Sequence, residues 1–84
     1  MIEDLPQSIV VGTKQVLKAI AAGRTDRVFM AADVDAYLAN KIRQVCTQNA
    51  VQICEVASMH ELGKACKIDV GAACAAALKT EQHT

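Results

Sequence analysis

Apolar residues along this chain fall into short β-branched runs that alternate with helical stripes. Ser8 to Val11 reads as a short strand, because Ile9, Val10 and Val11 are consecutive β-branched residues that stop at Gly12. From Thr13 the period changes. Val16, Leu17 and Ile20 fall on one side at 3.6 residues per turn, which predicts a helix over Thr13 to Ala22 with Gly23 at its end. Arg27-Val28-Phe29-Met30-Ala31-Ala32 is an apolar run of strand length and predicts a strand covered on both faces. Asp33-Val34-Asp35 supplies helix-start chemistry, since either aspartate is able to accept an orphan N–H. A second helix follows from about Ala36 to Asn49, with Leu38, Ile42, Val45 and Cys46 inside and Lys41, Arg43, Gln44 and Gln48 in water. Val51 to Ala57 is the next strand. Ser58-Met59-His60-Glu61 fits a capping box that opens a short helix from Met59 to about Cys66. Lys67 to Gly71 is a loop. The last element, Ala72 to Leu78, is alanine-rich, and propensity alone makes it helical.

The alternation is that of an α/β protein, with helices packed on both faces of a sheet. At 84 residues one domain is expected over 1–84, with an irregular lead-in at 1–7 and a flexible polar tail at 79–84. Over half of the residues are apolar, yet there is one Phe, one Tyr and no Trp. Alanine and valine must therefore fill the core, which requires closely spaced elements.

Nine basic and nine acidic residues give no net charge. A protein that coats nucleic acid nonspecifically is usually more basic, so any such binding rests on a local patch. Lys14, Lys18, Arg24 and Arg27 stand against Asp26 alone, and Lys64 and Lys67 add a second basic site. Glu3, Asp4, Asp33 and Asp35 lie elsewhere. The opening Met1-Ile2-Glu3-Asp4 does not read as a secretion signal, and no apolar run approaches the length of a membrane span. The expectation is a cytoplasmic protein with no membrane partner.

Cys46, Cys54, Cys66 and Cys74 each lie in an apolar run, with no C-x-x-C pair and no histidine at ligand spacing. They read as small buried hydrophobes, and no metal or other cofactor is expected. A thiol or metal protein is the weaker alternative. Lys64 and Lys67 would lower the Cys66 thiol pKa if it were exposed, but an inward-facing Cys66 is the simpler reading. His60, inside the capping box, reads as a surface residue. No phosphate-cradling glycine motif and no catalytic constellation appear, so the chain does not read as an enzyme.

Two stretches carry binding chemistry. In Gly12-Thr13-Lys14-Gln15-Val16-Leu17-Lys18 a strand passes through a glycine into a helix, leaving N–H groups that attract anions. Lys14, Gln15 and Lys18 share the wet face. An ordinary solvated face is the plain reading of that pattern alone. In Ile68-Asp69-Val70 two β-branched residues flank an acid. They belong either in the core or, if left at the surface, on an apolar platform for a partner.

Gly12-Thr13-Lys14-Gln15-Val16-Leu17-Lys18, the Val28–Asp35 stretch, and Glu61-Leu62-Gly63-Lys64-Ala65-Cys66-Lys67-Ile68-Asp69-Val70-Gly71-Ala72-Ala73 together resemble the kink-turn-binding ribosomal-protein family of the L-seven-Ae type. The likeness runs from about Ser8 to Leu78 and is greatest to the small stand-alone bacterial members. It implies a three-layer α/β/α sandwich around a small mixed four-stranded sheet, with Ala72 to Leu78 as a strand against its propensity. It implies a non-catalytic, monomeric protein that recognises kink-turns in structured RNA, whether ribosomal RNA or a riboswitch, and that is compatible with ribosome association. The RNA-binding residues it implies are Gly12, Thr13, Lys14, Gln15, Lys18, Lys64, Lys67, Ile68, Asp69 and Val70. Lys14-Gln15 stands where archaeal and eukaryotic members commonly have Asn-Glu, and Lys67 stands where the family often has glycine. The alternative is a protein-interaction module on the same fold without RNA binding.

Overall fold

In the computed structural model the described residues are Ser8–Lys79, and the lead-in and the tail beyond Lys79 lie outside them. Seven elements alternate as expected: β1 (Ile9–Val11), α1 (Thr13–Ala21), β2 (Thr25–Ala31), α2 (Ala36–Gln48), β3 (Gln52–Val56), α3 (Met59–Ala65) and β4 (Cys74–Leu78). The sheet order is β1-β4-β2-β3, with β2 and β3 parallel and the other pairs antiparallel. The three-layer mixed sandwich is therefore present.

β4 overrides its helical propensity because of where it lies. It runs between β1 and β2, and Ala75 is opposite both Val11 and Phe29. Cys74, Ala75 and Ala76 are wholly buried. Every backbone group of a central strand finds a ladder partner, and its small side chains let helices approach from both sides. Tertiary context of this kind outweighs a few tenths of a kcal/mol per residue of intrinsic preference.

Successive strand residues point to opposite faces, and the two faces carry separate cores. Val28, Met30, Cys74 and Ala76 meet Val16 and Ile20 of α1 and Ile42 and Cys46 of α2. On the other face Phe29, Val56, Ala72 and Ala75 meet Leu62 of α3. In the stripe expected for α2, Ile42 and Cys46 are buried, whereas Leu38 and Val45 are half-buried and Ala39 joins the buried set. β2 begins two residues before the expected Arg27. The buried Thr25 hydroxyl donates to the Ala77 carbonyl at a shift in strand register, which continues the ladder past Arg27.

The two aspartates of the β2–α2 turn divide their work. Asp35 caps α2, accepting the Leu38 N–H at 2.9 Å. Asp33 reaches across the fold and accepts the Met59 N–H at the start of α3, also at 2.9 Å. Ser58 provides its half of the capping box, accepting from Glu61 N–H at 3.1 Å.

All three helices end in the same way. The N–H of the second residue past the cap returns to a carbonyl five residues back, as in Arg24 to Ala19, Val51 to Cys46 and Ile68 to Gly63. That closure needs a left-handed residue just after the cap. Gly23 takes it freely at φ 72°, but Ala50 (φ 57°) and Lys67 (φ 64°) take it against the clash of Cβ with the following carbonyl. Ala50→Gly is therefore expected to raise stability by about 0.5–1 kcal/mol, the relieved strain exceeding the added freedom of the unfolded chain. Urea denaturation checks this, and a lower midpoint in the variant would refute it.

Candidate nucleic-acid interface

The candidate interface lies at one end of the sheet, where β1, β2 and β3 finish and β4 starts. Gly12, at φ 104°, turns the chain from β1 into α1, and its N–H donates to the Cys74 carbonyl at 3.0 Å. Ala31 N–H donates to Ala73 and Ala32 N–H to Val56. Ala72 N–H donates to the Met59 carbonyl at 3.0 Å, and Met59 N–H is held by Asp33. A chain of hydrogen bonds thus ties the start of α1, the β2–α2 turn, the start of α3 and the approach to β4 into one edge.

α1 has no side-chain cap. Its first intrahelical bond runs from Val16 N–H to the Gly12 carbonyl, so the amides of Thr13, Lys14 and Gln15 face outward with the positive end of the helix dipole. Lys14, Gln15 and Lys18 are exposed, whereas Val16, Ala19 and Ile20 are buried beneath them. Thr13 is half-buried, and its hydroxyl accepts from the Cys74 thiol at 3.9 Å. Among the described residues no carboxylate pairs with Lys14 or Lys18, the one salt bridge there being Arg43–Glu55. Of the nine acidic residues, Glu3, Asp4 and Glu81 lie outside the described body, which is accordingly basic despite the neutral whole chain.

Ile68 and Val70 are 36% and 70% exposed, and Asp69 between them is exposed as well. The core alternative for both side chains is thereby overturned. The backbone is what packs here: the loop runs back along α3 from its end to its start, with Gly71 against the Met59 side chain. A Cβ placed on Gly63 would overlap the Val70 carbonyl oxygen and lie 3.1 Å from the Gly71 Cα. Gly63 thus lets the loop lie directly on the helix. The signal for it was a glycine inside a short helix, which costs about 1 kcal/mol against alanine and calls for a packing reason. Asp33 is the other positioning residue whose role was open in the sequence.

Gly12, Thr13, Lys14 and Gln15 are brought to the edge that also receives Val70 through Gly71 and Ala72. Lys18 stands one turn further along α1. Lys64 and Lys67 are exposed but lie at the opposite end of α3 from Met59, Lys64 about 7.5 Å along the axis from it. They flank the loop and do not meet the α1 face.

Of the four cysteines, Cys46 and Cys74 are buried, whereas Cys54 and Cys66 are half-buried, a correction to the expectation of four buried side chains. Burial pushes the Cys66 thiol up, so the neighbouring lysines do not activate it. Burial also raises Cys46, and it raises Cys74 against the opposing hydrogen bond with Thr13. His60 is exposed as expected. Among the described residues no helix is long and apolar enough to cross a membrane.

Known proteins share both the sequence and the shape. The RNA-binding protein TTE2299 of Caldanaerobacter subterraneus subsp. tengcongensis is 41% identical over 76 residues, covering 90% of this chain and 93% of that protein. The RNA-binding protein YbxF of Geobacillus stearothermophilus is 42% identical over 71 residues, covering 84% of this chain and 87% of its own. Among solved structures, a Giardia lamblia 15.5kD RNA binding protein superposes with a TM-score of 0.81 at 28% identity, over 89% of this chain and 63% of that longer one. Residues 4–84 match one family throughout, and with these relatives they show that the chain belongs to the Ribosomal protein L7Ae/L30e/S12e/Gadd45 family.

Proposed function

We propose that this protein binds structured RNA by recognising kink-turns, without chemistry, as a cytoplasmic monomer. The observation that carries the reading is the meeting, at one edge of the sheet, of an uncapped helix start bearing Lys14 and Gln15 with an exposed apolar loop. Membership of the family and relatives named as RNA-binding proteins support it.

The physics of RNA makes this pairing useful. A regular A-form major groove is too deep and narrow for side chains to read. A sharp bend opens it to a helix end. The outward amides of α1 and the close backbone at Gly12 and Thr13 suit a phosphate, while Lys14, Gln15 and Lys18 suit base edges. Lysine donates to guanine O6 and N7, and glutamine both donates and accepts. Unstacked bulge nucleotides expose apolar faces that Ile68 and Val70 are placed to cover, with Lys64 and Lys67 supplying charge beside them. The protein would stabilise the bent RNA through its higher affinity for that state.

The test is a calorimetric titration at stated salt. It compares a kink-turn RNA with the same RNA lacking its tandem G·A pairs. Tight binding lost in the control is expected, and equal weak binding to both would overturn the reading in favour of a protein-interaction module. Gln15→Ala is expected to weaken kink-turn binding by about 1–3 kcal/mol, the cost of one lost base contact. Wild-type affinity in that variant would remove α1 from the interface.

A further inference from the structure

We propose that a cleft along the outer side of α1 takes the phosphate backbone of an RNA stem leading away from the kink, with Arg24 as the contact furthest from the helix start. The inference rests on the proposed RNA binding and extends its footprint. The cleft measures about 210 Å³. Gln15, Lys18 and Arg24 form its polar rim over a floor that includes Val10, Ala19 and Leu78. It therefore begins at two residues of the α1 face and continues past the end of that helix.

Its chemistry fits a phosphodiester chain better than a base. Among the described residues no aromatic side chain and no carboxylate lines it, so these offer no stacking platform and nothing to repel an anion. Asp26, two residues beyond Arg24, is exposed and not part of the lining. Among the described residues no acid pairs with Lys18 or Arg24. The guanidinium of arginine presents a planar fork suited to two phosphate oxygens. The backbone beneath Arg24 is also fixed. Its N–H donates to the Ala19 carbonyl at 2.9 Å, its carbonyl accepts the Lys79 N–H at 2.7 Å, and Gly23 sets the turn before it. Lys14, Lys18 and Arg24 then form a line of cations down one side of the molecule.

A phosphate contact and a base contact leave different signatures. Titrations over a salt series with the kink-turn RNA and its G·A-less control, both with full stems, separate them. Arg24→Gln is expected to weaken both complexes by the same several-fold factor and to lower the slope of log affinity against log salt by about 0.7–0.9, one phosphate contact. The ratio between the two RNAs stays unchanged, whereas Gln15→Ala lowers that ratio. Arg24→Lys, which keeps the charge, retains the slope. Trimming one stem to a few base pairs removes the difference between wild type and Arg24→Gln. Unchanged affinity and slope in Arg24→Gln overturn the proposal. Wild type that binds both RNAs equally, with the slope still reduced in Arg24→Gln, overturns kink-turn recognition and leaves the cleft as a phosphate site. Wild type that binds neither RNA overturns both.

Discussion

Gly63→Ala is expected to destabilise the protein by about 3 kcal/mol and to lift the 67–71 loop off α3. Inside a helix the same change normally stabilises by about 1 kcal/mol, because alanine restricts the unfolded chain and glycine does not. The expected sign is reversed here because the new methyl group overlaps the Val70 carbonyl oxygen, and backbone on both sides leaves nothing flexible to move. Relief requires either that the loop rise or that α3 unwind at its last turn, breaking the Ile68-to-Gly63 closure. Gly71→Ala is the control. Its Cβ would meet the Met59 Cβ at 3.2 Å and the Met59 carbonyl oxygen at 3.3 Å, a far milder crowding than the direct overlap at Gly63, so a smaller loss is expected. Urea denaturation gives the energies, and amide exchange at Ile68 and Val70 reports the loop. A Gly63→Ala protein as stable as wild type would mean that the loop packs elsewhere. If the loop covers bulge nucleotides as proposed, this variant also loses RNA affinity while Lys14 and Gln15 remain untouched.

Leu62→Ala is expected to cost about 2–5 kcal/mol, with the loss concentrated on one face of the sheet. Leu62 is wholly buried and is the one large side chain that α3 itself puts into its core cluster, whose other members include Ala72 and Ala75. Ala72 and Ala75 are too short to reach into the space, and Phe29 and Val56 are held on sheet strands, so most of the cavity penalty remains. Ile42→Ala on the opposite face removes a side chain that is equally buried but shares its core with Val16, Ile20, Val28 and Met30. The two variants should therefore differ in pattern. Leu62→Ala frees α3 and the loop in sub-global openings, seen as early proteolysis and exchange there, whereas Ile42→Ala lowers protection throughout. Uniform loss of protection in Leu62→Ala would show that the two cores melt as one.

Local chemistry made most of the fold legible. The 3.6-residue stripe marked α1 and α2 to within a residue at each end, and Ser58 with Glu61 marked the start of α3, because caps and stripes are properties of neighbouring residues. β4 was not legible in that way. Its alanines favour helix, and its strand nature came from resemblance to a family, because what decides it is burial between two strands far away in sequence. The same limit applies to Asp33. Sequence offered it as a cap for the helix beside it, but its partner lies 26 residues on. In the candidate site, exposure of Lys14, Gln15 and Lys18 followed from periodicity. Exposure of Ile68 and Val70 did not, since β-branched residues next to a glycine fit a core equally well. What put them outside is the backbone contact with Gly63, which leaves no room for side chains between loop and helix.

The order of strands in the sheet also bears on how the protein is made. Among the described residues β1 pairs only with β4, the last of the seven described elements to be synthesised, and the Gly12 turn is closed by the Cys74 carbonyl. Ribosomes add about 5–20 residues per second, so β1 and the start of α1 wait several seconds for the strand that completes them. Until Leu78 has emerged, the nascent chain holds β2, α2 and β3 with one sheet edge open and the candidate face unfinished. If the proposed face is the one that binds RNA, translation that stops before β4 yields no partly active product, and affinity for RNA appears only after the sheet has closed.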